Sequence, residues 1–158
     1  MNQDETSEGV LLKARNAVYR LLKVRMRSEK EVRDRLKIKE FPLKTIDQTI
    51  QYFQEAGLID DREFAKRWVT ERLSKPLGLK RIRFELRNKG IEPSLFEDVL
   101  AEIKADYSEE TIIRTLMQRK AARYRGKQDK LELRQRMQDY LLRRGFDPQT
   151  VYKAVKEI

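Results

Sequence analysis

Apolar residues recur along this chain with the spacing of amphipathic helices, in segments separated by short polar turns. The first segment places them at i, i+3, i+4 and i+7, on Val10, Ala14, Ala17, Val18, Leu21 and Leu22. Glycine and proline number only 6 and 4, which argues against a turn-rich β architecture. The pattern therefore predicts an all-α chain.

The helical segments recur as a threefold internal repeat. Three helix ends align, LKIKEF at 36–41, LRNKGI at 86–91 and LLRRGF at 141–146, with a spacing of about 50 to 55 residues. Apolar positions on either side keep the same register, in the sets Val32, Ile82 and Met137, then Ile46, Phe96 and Val151, then Ile50, Leu100 and Val155. We expect three tandem copies that pack on one another or are flexibly joined.

Capping residues divide each copy into three helices. Ser28 with Glu31, and Asp60 with Glu63, have the spacing of capping boxes. Other helix ends are marked by Gly57, Gly90, Pro93, Ser108, Gly145 and the pair Asp147 and Pro148. We expect a polar tail over residues 1–8 and three-helix, helix-turn-helix-like repeats over 9–57, 58–105 and 106–158. These would form an elongated array, with the acidic stretch 102–110 as the second joint.

Charge and composition narrow the function. Lys and Arg number 36 against 26 Asp and Glu, and the net charge of +10 indicates a polyanionic partner, either nucleic acid or an acidic protein surface. Cysteine and histidine are both absent, which removes disulfides, thiolate sites and the commonest general base. We expect no enzyme and no cofactor.

No apolar run approaches the ~20 residues of a membrane span, and the polar N-terminus is unlike a secretory signal, so we expect a cytoplasmic protein.

One acidic group is a candidate metal or catalytic site. Asp60 and Asp61 are adjacent, and with Glu63 they could hold a divalent ion. No histidine, glycine-rich loop or further acidic cluster completes such a site, and helix capping explains both aspartates. Gly78, Gly90 and Gly145 likewise lack the spacing of a phosphate-binding loop, so no metal is expected.

Two basic regions are candidate binding surfaces for a polyanionic partner. The first is a helix at about 79–89, whose cations Lys80, Arg81, Arg83, Arg87 and Lys89 are opposed within it only by Glu85. Its predicted inward face is Ile82, Phe84 and Leu86. The second lies in the third repeat and contains Arg119, Lys120, Arg123, Arg125, Lys127, Arg143 and Arg144. One such run is usually a solvated face, but two on successive repeats favour a binder of a long polymer. Most aromatic residues fall on inward registers, and no base-stacking platform is predicted.

Several motifs resemble the RecX family. The run GLIDDREFA at 57–65 is followed at the family's distance by RIRFELRNKGI at 81–91, and RSEKEV at 27–32 and LRRGF at 142–146 also match. The resemblance runs from about residue 14 to the C-terminus, with the structural motif Asp60, Asp61, Phe64, Trp68, Gly90 and Gly145. The loop SKPLGLK at 74–80 departs from the family's pattern, as does Glu40, which stands where the later copies have glycine.

The resemblance implies a regulatory protein that binds along the groove of a RecA–DNA filament. It implies inhibition of RecA ATPase and strand exchange, in recombination, DNA repair and the SOS response. Single- or double-stranded DNA is a further expected contact, and we expect a monomer that binds no membrane. The alternatives are a helix-turn-helix regulator that reads DNA directly and a scaffold for another acidic protein. A sequence reader presents amide side chains to bases and usually dimerises, whereas the central helix offers only Asn88 and no zipper is visible.

Overall fold

Nine helices and no strand make up the part of the chain that the computed structural model describes, residues 7–103, 107–123 and 129–158. The first repeat contains α1 (Ser7–Val24), α2 (Glu29–Ile38) and α3 (Leu43–Glu55). The second contains α4 (Asp61–Leu73), α5 (Leu79–Asn88) and α6 (Pro93–Ile103). The third contains α7 (Glu109–Ala121), α8 (Lys130–Arg143) and α9 (Pro148–Lys156). The predicted all-α fold of three tandem three-helix repeats is confirmed.

Each repeat has its own hydrophobic core, and the repeated apolar register builds it. Three separate clusters of buried residues centre on Phe53, Phe96 and Phe146, one in each repeat. The four sets of apolar positions that align across the three repeats are all buried, namely Val32, Leu36, Ile46, Ile50, Ile82, Leu86, Phe96, Leu100, Met137, Leu141, Val151 and Val155. Units of this size have thin cores, so contacts between the repeats matter for stability.

The helix caps follow the sequence with one correction. Ser28 and Glu31 form the complete capping box, because each side chain accepts a hydrogen bond from the other residue's backbone N–H. Asp60 accepts from the N–H groups of Arg62 and Glu63 at 2.9 and 3.0 Å. Glu63 does not complete that box, because its carboxylate pairs with Arg67 one turn later, at 2.9 Å. Asp60 is therefore an N-cap as predicted, but the predicted return hydrogen bond to the Glu63 side chain is wrong.

Phe84 corrects the predicted inward face of α5. Ile82 and Leu86 are buried, but Phe84 is 64% exposed. A residue two positions after Ile82 lies about 200° around the helix from it, on the opposite side. The same register holds Asp34 in the first repeat and Asp139 in the third, so the helix presents this position to solvent.

Glu40 ends α2 in a left-handed backbone conformation that glycine adopts in the other repeats. Its φ is 61°, and Gly90 and Gly145 at the equivalent positions have φ of 79° and 81°. A residue with a Cβ is strained in this region by roughly 1–2 kcal/mol. No other non-glycine residue within the described ranges has a positive φ.

We predict that Glu40→Gly raises the free energy of unfolding by about 0.5 to 1 kcal/mol. Relief of backbone strain outweighs the greater freedom of glycine in the unfolded chain. Urea unfolding followed by circular dichroism measures the change, with Glu40→Ala as the control that keeps the Cβ and removes the carboxylate. Stabilisation by Glu40→Ala of the same size would assign the effect to the charge and contradict the strain argument.

Candidate interaction surface and the joints that position it

Successive repeats meet through their second helices, and the same joint is used twice. At the first joint Ser28 Oγ donates to the backbone oxygen of Lys89 at 2.7 Å. At the second, the N–H of Gly78 donates to the backbone oxygen of Arg144 at 3.0 Å. Ser28 and Gly78 are N-caps of α2 and α5, while Lys89 and Arg144 are C-caps of α5 and α8. The start of each second helix therefore docks on the end of the next one.

A carboxylate from the following repeat completes each joint. Asp61 Oδ1 accepts from the N–H of Glu29 at 2.8 Å, and Glu109 Oε1 accepts from the N–H of Leu79 at 2.7 Å. Glu29 and Leu79 are the first residues of α2 and α5, where N–H groups lack intrahelical partners and the helix dipole favours an anion. Helix capping does explain Asp61, but the capped helix belongs to the preceding repeat.

Close approach of the helices explains the glycines at the joints. A Cβ on Gly90 would lie 2.5 Å from the Cβ of Lys30, and a Cβ on Gly145 would lie 2.6 Å from the backbone nitrogen of Arg81. A Cβ on Gly78 would overlap the backbone of Gly145 itself. The structural motif glycines Gly90 and Gly145 are thus required twice, for a left-handed turn and for the space that a neighbouring repeat occupies.

Lys89 belongs to the first joint rather than to an open surface. Its Nζ lies 2.7 Å from Glu31 Oε1 and 4.5 Å from the centroid of the Trp68 ring, and its side chain is 20% exposed. Burial alone would raise the pKa of Glu31. Hydrogen bonds from Arg25, Lys89 and the Ser28 N–H outweigh burial and lower that pKa to about 2. The carboxylate is therefore charged at neutral pH and holds Lys89 between two repeats.

Neighbouring carboxylates also engage two arginines of α5. Arg81 lies 3.2 Å from Glu85 on its own helix, and Arg83 lies 2.6 Å from Glu97 on α6. Both ion pairs are partly solvated, so they contribute little to the free energy of unfolding and act mainly to hold the two arginine side chains in place. Of the α5 cations, all of them described, two are exposed and make no ion pair: Lys80 and Arg87.

The basic residues of the third repeat also divide into two kinds. Lys120 Nζ lies 3.5 Å from the centroid of the Tyr140 ring, and the Arg144 guanidinium lies 4.8 Å from it. Arg144 also donates to the backbone oxygen of Pro76 at 2.9 Å, across the second joint. Arg119, Arg123 and Arg143 are exposed and make no ion pair within the described ranges. Arg125 and Lys127 lie outside the described residues.

The second joint places part of each predicted basic region at one cleft, with Lys80 and Arg81 from the first region and Arg143 from the second. The volume of the cleft is about 470 Å³, and its walls include Lys80, Arg81 and Phe84 from α5 and Leu142, Arg143 and Phe146 from the third repeat. The sequence indicated both basic regions but not their meeting, because the contact depends on how the repeats dock. The exposed ring of Phe84 is the functional candidate that the sequence reasoning missed.

Two further features of the described part of the chain bear on function. Residues 7–103, 107–123 and 129–158 contain no group of three or more acidic residues placed to hold a metal ion. Asp60 and Asp61, the pair weighed for that role, cap two different helices. Over the same ranges, no helix has the length and apolar character needed to cross a membrane.

Comparison with known proteins gives consistent matches along the whole array. Family models described as the first, second and third three-helix domains of RecX match residues 14–53, 60–100 and 108–155. A protein of Chlorobium phaeobacteroides named Regulatory protein RecX is 33% identical over 147 residues, which cover 92% of this chain and 93% of that protein. A protein of the same name from Caldanaerobacter subterraneus is 30% identical over 142 residues, covering 90% and 68%.

A solved structure has the same arrangement of helices. The crystal structure of RecX from Lactobacillus salivarius matches this chain with a TM-score of 0.80 and 25% sequence identity. The match covers 95% of this chain and 97% of the other.

Proposed function

Since the chain belongs to the RecX family, we propose that it is a regulatory protein that binds the RecA–DNA filament and lowers RecA ATPase and strand exchange. The observation that carries the proposal is the joint that the chain uses twice, each time between an N-cap and a C-cap of successive second helices, with a carboxylate from the following repeat. A repeated joint sets three similar basic units in succession, which suits a polymeric partner with repeating sites.

Multivalency supplies the affinity in this proposal. One three-helix unit carries only part of the exposed positive charge and would bind more weakly than the whole array. Contacts made by a second and third unit become intramolecular once the first is bound, so the effective concentration of each is high. The hydrogen-bonded joints favour this arrangement because they limit how far one unit can move relative to the next.

Electrostatics supports a filament as the partner. The exposed cations without ion pairs in the candidate set are Lys80, Arg87, Arg119, Arg123 and Arg143, all within the described ranges. They lie on two successive repeats and would face phosphates or acidic side chains of a protein–DNA filament. Screening shortens such attraction to about 8 Å at physiological salt, so binding should weaken as salt is raised.

We predict that Lys80→Glu with Arg87→Glu weakens binding to RecA filaments roughly tenfold at low salt. Both side chains are exposed and make no ion pair, so their reversal changes the interface while the fold is retained. Fluorescence anisotropy on filaments assembled with a slowly hydrolysed ATP analogue measures the affinity at two salt concentrations. Reversal of Arg81 and Arg83 is a poorer test, because it would break the ion pairs to Glu85 and Glu97.

A matched control separates local contact from overall charge. Arg20→Glu with Lys44→Glu makes the same change in net charge at exposed positions of the first repeat, outside the candidate residues. We expect a loss below threefold for this control. Equal losses of filament affinity for the two double variants would mean that long-range attraction by the net charge explains the effect. Unchanged affinity of the Lys80→Glu, Arg87→Glu variant would mean that these residues of α5 do not contact the filament.

A further inference from the structure

The second joint carries an exposed aromatic ring that the three-helix fold does not require. Phe84 is 64% exposed on α5. Its counterparts in the other repeats are Asp34 and Asp139, so the same unit folds twice with an aspartate at this register. Isolated apolar side chains on a surface are common, so the surroundings of the ring decide whether it has a role.

The ring of Phe84 lies at a cleft whose other wall belongs to the third repeat. Leu142, Phe146 and Pro148 line that wall, and the cleft, which opens to solvent, has a volume of about 470 Å³. Phe146 is buried in the core of the third repeat, so the packing of that core fixes its place in this wall. The combination is an apolar recess large enough for an amino-acid side chain, held open by the docking of two repeats.

Cations surround this recess. Lys80, one turn before Phe84 on α5, and Arg143, on the third repeat, both line the cleft. Arg87 lies about one turn after Phe84 on α5, beyond the lining residues. None of the three makes an ion pair within the described ranges. The one carboxylate among the residues that line the cleft is Glu85, which is already held by Arg72 at 2.6 Å and Arg81 at 3.2 Å.

We propose that this cleft docks an acidic protein segment that inserts a large apolar side chain beside Phe84. Carboxylates on either side of that side chain would face Lys80, Arg87 and Arg143. Buried aromatic anchors within a charged rim are the usual centre of binding energy at protein interfaces. The inference rests on the proposed function, in which the segment belongs to the protein subunits of the filament.

The apolar lining favours a protein segment over a nucleotide. Single-strand binders stack successive bases on several exposed rings and bond base edges with free polar groups. Among the residues that line this cleft, Phe84 is the one exposed ring, and Glu85, a polar group with acceptors for a base, is occupied by two arginines. An apolar side chain flanked by carboxylates would fill the recess and would also pair its carboxylates with the cations around it.

The test compares Phe84→Asp with two matched variants. Phe84→Asp places the residue of the sister repeats at this register, so the thermal unfolding temperature should not change. Affinity for RecA filaments on single-stranded DNA should fall roughly thirtyfold, the loss typical of an anchor residue. Phe84→Leu, which keeps an apolar side chain, should stay within about fivefold of wild type. Leu12→Asp, at a position that is 59% exposed on α1, should bind as wild type does.

Binding to naked single-stranded DNA of the same length is measured in parallel. A loss for Phe84→Asp on filaments, with unchanged binding to naked DNA, supports the docking cleft. An equal loss on naked DNA overturns it in favour of base stacking, and an equal loss for Leu12→Asp overturns it as a general effect of added charge. If Phe84→Asp binds filaments as tightly as wild type does, the docking cleft is wrong while the proposed function stands. Failure of the wild-type protein to bind filaments would overturn the proposed function as well.

Discussion

Replacing Gly145 with alanine is expected to lower the free energy of unfolding by about 2 to 5 kcal/mol, through the joint between the second and third repeats. Two effects add. The φ of 81° strains any residue with a Cβ, by roughly 1–2 kcal/mol. The new Cβ would also lie 2.6 Å from the backbone nitrogen of Arg81, and overpacking against a backbone typically costs about 1–3 kcal/mol.

Two other glycines separate these effects. Gly57 has a φ of 69° and nothing within 4 Å of an added Cβ, so Gly57→Ala should cost only the strain, about 1 to 2 kcal/mol. Gly78 has an ordinary φ of -78°, but its Cβ would overlap the backbone of Gly145. The loss of stability in Gly78→Ala therefore measures the steric overlap between the helices without a contribution from backbone strain.

Because the three cores are separate, the loss should appear first as parting of the repeats. Small-angle scattering of Gly145→Ala and Gly78→Ala should give a larger radius of gyration at low urea, while circular dichroism retains the helical signal. Gly57→Ala should keep the radius of wild type. A Gly145→Ala protein no less stable and no larger than Gly57→Ala would contradict the docking of α5 on α8.

Trp68→Ala is expected to lower the free energy of unfolding of the second repeat by about 3 kcal/mol. The indole stacks on Phe64 with ring centroids 5.8 Å apart, and its Nε1 donates to Glu85 at 3.1 Å. The guanidinium of Arg72 and the ammonium of Lys89 lie 4.4 and 4.5 Å from the ring. Partial exposure places the loss at the lower end of the range for tryptophan truncation.

Trp68→Phe separates the contribution of ring packing to stability from that of the hydrogen bond. It keeps an aromatic ring for stacking and for the cations, and loses the N–H that binds Glu85, so its cost should be about 1 kcal/mol. Trp68 is the only tryptophan, so urea unfolding is followed by circular dichroism rather than by fluorescence. A Trp68→Phe protein as unstable as Trp68→Ala would mean that the hydrogen bond dominates.

The repeat and its cores could be predicted from the sequence because each depends on local periodicity. Val32, Ile82 and Met137 share a register, and three aligned copies removed the ambiguity that one copy would leave. Caps such as Ser28 and Asp147 were equally accessible, since a cap acts within four residues of its own helix.

Contacts between repeats could not be predicted, since they depend on how two separate units dock. Asp61 caps a helix 32 residues earlier in the chain, and Lys89 pairs with Glu31, 58 residues away. Counting charges within α5 therefore overestimated its free positive charge. The prediction that Phe84 faces inward is wrong, because the residue lies about 200° around α5 from Ile82. The aspartates at its sister positions were the signal in the sequence that would have placed it on the surface.

The proposed regulation of RecA is tested most directly by the single-stranded-DNA-dependent ATPase of the cognate RecA, titrated with this protein. A filament regulator should lower ATP hydrolysis at protein concentrations that leave the same DNA, without RecA, unbound. Unchanged hydrolysis together with tight binding to naked DNA would contradict the proposed regulation, and would favour a protein that binds nucleic acid directly.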